Sequence, residues 1–140
     1  MSYSKSLEAR AIFIAPRVGA VISGDTTLRG PLMKYAGEIV GADVFDTADH
    51  TGDVAGNYFT IDVRANGNTA WTLNTGATPS GDINANTITF PTENATLANK
   101  RFASGEEITV VLTEVGTAVN FTINAGFYVW VIPLYDYNDG

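Results

Sequence analysis

Residues 57–65, NYFTIDVRA, alternate without a break. Phe59, Ile61, Val63 and Ala65 fall on one side, and Tyr58, Thr60, Asp62 and Arg64 on the other. A period of two with one apolar side predicts a strand with one face on a core and one in water. The Asn-Gly pair at 66–67 suits a tight turn, and TAWTLNT (69–75) then puts Trp71 and Leu73 on a common face. Together these runs predict a β-hairpin. EITVVLTEV (107–115) repeats the pattern, with Ile108, Val110 and Leu112 set against Thr109, Val111 and Thr113. AVNFTI (118–123) is expected to answer it across Gly116. GFYVWVIPLYDY (126–137) is apolar on both faces from Phe127 to Ile132, the pattern of a strand covered on both sides.

The remaining segments are less regular. NTITFP (86–91) predicts a short strand stopped by Pro91, and residues 93–101 fit either one helical turn or a loop. ARAIFIA (9–15) fits a strand or an extended arm. LMKYAGEIVGADVFD (32–46) carries Gly37 and Gly41, each of which costs ~1 kcal/mol inside a helix, so short strands with bulges or turns are expected there. The sum is an all-β chain of about seven to nine short strands: a single β-sandwich or jelly-roll-like domain, or a small β-barrel. Residues 1–30 are expected to form an extended N-terminal arm and residues 31–140 the body.

Composition narrows the class of function. The chain has 140 residues, enough for one domain with its own core, and no cysteine, so disulfides, thiolate metal sites and a cysteine nucleophile are excluded. Fifteen acids against eight bases give a net charge of −7, which argues against nucleic acid and anionic membrane surfaces as partners. No apolar run is long enough to span a bilayer as a helix, and the first 22 residues lack the basic-then-apolar order of a signal peptide.

DTADHTGDVAGN (46–57) is the densest polar stretch and holds the chain's one histidine, His50. Its acids, Asp46, Asp49 and Asp53, do not match an EF-hand loop, and a single imidazole does not make a zinc site. Asp and Asn also close turns through their own backbone. A solvated connecting loop is therefore expected, with a weak calcium site shared with a neighbouring subunit as the minority alternative. No serine sits in a nucleophile elbow, the Glu106–Glu107 pair precedes a strand as a solvated edge would, and no phosphate-binding loop is present. No enzymatic activity and no cofactor are expected.

The aromatic residues bear more directly on function. Trp71, Trp130, Tyr128, Tyr135 and Tyr137 are candidates for a sugar platform, but Trp130 lies within the most apolar run of the chain, which favours burial. Simple alternation puts Phe127, Val129 and Val131 on one face and Tyr128, Trp130 and Ile132 on the other. A domain of this size has one core, so the second face needs a cover, and a contact with another subunit is expected there. The candidate interface residues are Ile12, Phe13 and Ile14 in the arm and Tyr128, Trp130 and Ile132 in the last strand.

Taken over its whole length, the chain resembles the capsid decoration, or cement, proteins of tailed bacteriophages. The likeness is carried by the irregular N-terminal segment SYSKSLEARAIFIAPRVGAVISGDTTLRG, by a Thr/Asn/Gly-rich all-β body with an acidic balance, and by FASGEEITVVLTEVGTAVNF (102–121). It is one of style, without a diagnostic motif. It implies a structural virion protein on the capsid surface that clamps neighbouring major capsid protein subunits, commonly as a homotrimer. A carbohydrate- or receptor-binding β domain of a tail fibre or similar adhesin is the alternative.

Overall fold

The alternating segments become strands in a computed structural model, which describes residues 9–15, 20–50, 56–77, 82–123 and 126–134. In chain order these are β1 (Arg10–Ile14), β2 (Ala20–Ile22), β3 (Thr26–Leu32), β4 (Gly37–Phe45), β5 (Tyr58–Ala65), β6 (Asn68–Asn74), β7 (Ile88–Thr89) and β8 (Thr92–Glu93). A single 3-10 turn (Leu97–Lys100) follows, then β9 (Arg101–Phe102), β10 (Glu107–Val115), β11 (Phe121–Ile123) and β12 (Gly126–Pro133). Among the described residues there is no α-helix, and the fold is all-β as the alternation predicts.

Two five-stranded antiparallel sheets curl over one another as a half-barrel, within the sandwich-or-small-barrel class. The first runs β1-β12-β4-β7, with β9 also pairing with β4; the second runs β3-β10-β5-β6-β8. A separate two-stranded ribbon joins β2 to β11. The inner faces supply one continuous core. Phe59, Ile61, Val63, Ala65, Ile108, Val110 and Leu112 from the second sheet are at most 1 % exposed. Ile39, Val44, Phe127 and Val129 meet them from the first. The second-sheet positions are marked by sequence alternation, and Phe127 and Val129 by the two-sided apolar run; Ile39 and Val44 lie in the less regular 32–46 segment.

The β5–β6 hairpin turns at Asn66 (φ 49) and Gly67 (φ 79), the pair of positive φ angles that matches the twist of the flanking strands. A bulge between Val63 and Arg64 in the register of β5 with β6 leaves Ala70 as the extra residue, so Ala70 and Trp71 are both buried despite adjoining in sequence. β3 carries a second bulge at Gly30-Pro31, facing Ile108. Proline is tolerated there because β3 is an edge strand and the bulge already breaks the ladder. A Cβ on Gly30 would strike the Ile108 carbonyl and the Ile14 side chain, so glycine lets β1 close against β3.

Two expectations need correction. The 30/31 division between arm and body falls inside β3, and β1 and β3 each form five residue pairs within the main sheets. Edge strands with short or irregular apolar runs look like an arm when read without their partners. AVNFTI does not pair with 107–115: β11 joins β2, while both edges of β10 are taken by β3 and β5. Residues 37–45 form one nine-residue strand with a bulge at Val40, the bulged strand expected over EIVGADVF.

Candidate functional site: the outer face of the first sheet

β12 lies between β1 and β4, and its register sets out two rows of side chains on the face turned away from the core. In one row Phe13, Tyr128 and Asp43 stand side by side across the three strands; in the next stand Ala11, Trp130 and Gly41. The Phe13 and Tyr128 rings meet with centroids 5.0 Å apart at 43°. Trp130 has small neighbours on both sides, so its ring leans over Gly41, and its indole N–H donates to Asp43 Oδ2 at 2.9 Å. Phe13 remains 54 % exposed, Tyr128 39 % and Trp130 37 %. Three aromatic rings on one sheet face, one of them held by a carboxylate, form an exposed apolar patch.

The six candidate interface residues divide evenly. Phe13, Tyr128 and Trp130 come together on this face. Ile12 and Ile14 pair with Val129 and Phe127 and turn inward, where Ile14 is buried and Ile12 packs against the core. Ile132 does not extend the exposed row: it is fully buried although alternation puts it on the same side as Trp130. It pairs with Glu38, itself buried and bonded to Arg101, beyond the β4 bulge where β9 widens the sheet.

Trp71 is elsewhere. It is 6 % exposed in the second sheet, with Lys100 Nζ 5.9 Å from its ring centre and that ammonium 2.6 Å from Glu93. The sequence-level grouping of Trp71 with Trp130 and Tyr128 into one platform is therefore not realised. Tyr135 and Tyr137 lie outside the described residues.

The 46–57 stretch is described at 46–50 and 56–57; Thr47, Asp49, Gly56 and Asn57 are exposed, as a solvated connection would be, but Asp46 and His50 are not. Asp46 is 3 % and His50 5 % exposed. Asp46 closes its own turn through Ala48 N–H (3.0 Å), and Asp49 accepts the Ala85 N–H (2.7 Å). The His50 and Ile83 backbones exchange a pair of hydrogen bonds, and the imidazole stands edge-on to Phe59 at 6.5 Å. These groups stitch two connections together, which explains why they concentrate here. Among the described residues no three ligating side chains converge as a metal site would require, and Asp53 lies outside them. Glu107 pairs with Arg29 at 3.0 Å on the second sheet's rim, an ordinary edge contact.

Sequence reading missed Asp43. Its role depends on the register of β12 with β4, which no local pattern encodes. No family model matches the chain, and comparison with curated proteins and with solved structures likewise finds no match. Among the described residues no helix is long and apolar enough to cross a membrane.

Proposed function

We propose that the chain is a non-enzymatic structural protein of a phage-like virion, which binds the capsid surface, bridges neighbouring major capsid protein subunits, and self-associates through the outer face of its first sheet. The observation that carries this reading is the exposed Phe13–Tyr128–Trp130 patch on two paired strands, β1 and β12, whose opposite faces pack the core. Aromatic residues are enriched at the centres of protein interfaces, and burying a large apolar side chain contributes ~1.5–3 kcal/mol. The net charge of −7 is compatible with a protein that must not adhere to packaged DNA. The burial of Trp71 counts against the sugar-platform alternative, since stacking on a saccharide needs rings aligned on one open surface. Electron microscopy of particles from the native source tests the proposal. Density for this chain at regular positions on an icosahedral shell is expected; its absence from purified particles contradicts it.

A further inference from the structure

A cavity of about 640 Å³ opens at the other end of the first sheet, away from the aromatic patch. Its floor is apolar and buried, made by Phe102, Val131 and Ile132. Ile12, Met33 and Pro133 form its walls. At the mouth stand two exposed bases, Arg10 and Lys34. No carboxylate lines it, although acids outnumber bases fifteen to eight in the chain. Among the described residues neither Arg10 nor Lys34 forms an ion pair, whereas Arg29, Arg64, Lys100 and Arg101 each do.

The wall is built, not loose. The connection 33–36 between β3 and β4 is pinned by four hydrogen bonds. Met33 N–H donates to Glu106 O (2.8 Å), Gly105 N–H to Met33 O (2.6 Å), Ser104 Oγ to Lys34 O (2.7 Å) and Leu134 N–H to Ala36 O (2.9 Å). A preformed site loses less entropy on binding, and the volume falls in the range of about 300–1,000 Å³ typical of small-molecule sites.

From this geometry we infer that the cavity binds an amphipathic organic anion: an apolar body seated on Phe102, Val131 and Ile132, with one carboxylate, sulfonate or phosphate between Arg10 and Lys34. The apolar floor excludes a small hydrated anion, which would leave the cavity unfilled, and the paired cations select against neutral or cationic amphiphiles.

The test is a titration of the ¹⁵N-labelled full chain with sodium decanoate below its micellar concentration, followed by amide shifts. Saturable shifts centred on residues 10, 33–36, 102, 131 and 132 are expected, with decyltrimethylammonium giving none at those positions. Lys34→Glu and Arg10→Glu change exposed side chains and keep the dispersed spectrum of the fold; each should weaken decanoate binding about tenfold or more. Shifts centred on Tyr128 and Trp130, equal binding of the cationic amphiphile, or unchanged affinity in both variants would overturn the inference. So would a response to a peptide with apolar and acidic side chains but none to decanoate, which would assign the cavity to a protein partner. None of these outcomes depends on whether the chain decorates a capsid.

Discussion

The indole of Trp130 on β12 is anchored to the carboxylate of Asp43 on β4 by a 2.9 Å hydrogen bond. The bond crosses from one row of the sheet to the next, and Gly41, directly opposite Trp130, leaves the room that the ring needs. Asp43 thus holds the largest ring of the patch in one orientation.

Asp43→Ala should release that ring while leaving the fold intact. The indole N–H resonance of Trp130 is expected to move and to exchange faster with water. The stability cost is about 1 kcal/mol or less, since the bond is exposed and its partners regain water. A cost above ~3 kcal/mol in urea unfolding would show that Asp43 supports the core and not the surface.

The outer face of the first sheet and the core shared by the two sheets should separate cleanly in stability. Ile61→Ala, at 0 % exposure, should cost about 2–5 kcal/mol, whereas Phe13→Ala, at 54 % exposure, should cost under ~1 kcal/mol in the dissociated chain. Denaturant unfolding of the two variants side by side gives the comparison; equal costs would place Phe13 in a core contact.

Much of this separation is legible in the sequence. The faces of β5 and β10 follow from alternation because each strand lies within one sheet with one wet side, and period two maps directly onto burial. The Asn66-Gly67 turn follows because only residues tolerant of positive φ fit there. Where reading fails, the cause is non-local. β1 and β3 look irregular because a strand at a sheet edge borrows its order from its neighbour. Proximity in sequence suggests that β11 pairs with β10, but β10 has β3 and β5 on its two edges, and β11 pairs with β2. Ile132 follows the alternation of its own strand, yet its burial comes from the strands beyond the bulge in β4 and so is not visible in 126–133. For the patch, the apolar two-sided run marked Tyr128 and Trp130, while Phe13 opposite Tyr128 and Asp43 beneath Trp130 depend on register.

Glycine at two positions should behave differently on substitution. Gly67→Ala forces a side chain into the left-handed region and should cost about 1–2 kcal/mol. Gly30→Ala instead drives a methyl group into the Ile108 carbonyl and the Ile14 side chain, prying β1 from β3, and should cost more, up to about 3 kcal/mol. Thermal melts of both variants check the order; a Gly30→Ala chain as stable as wild type would mean that β1 and β3 are not held at this distance.

The 46–57 connection is expected to act as a structural tie and not as a metal centre. Calorimetric titration with calcium or zinc should show no micromolar binding. Tight binding that disappears in Asp49→Ala would contradict this, because Asp49 would then serve a metal in place of the Ala85 amide.

The central claim is that the outer face of the first sheet joins copies of this chain. Light scattering at micromolar concentration, with thermal melting alongside, tests it most directly on wild type and Trp130→Ser. The account predicts a wild-type homo-oligomer, with a trimer as the expected state, and a Trp130→Ser chain that scatters as a monomer while its melting temperature falls by no more than about 5 °C. A monomeric wild type would contradict it, as would a Trp130→Ser chain that unfolds outright, since Trp130 would then be part of the single-chain core.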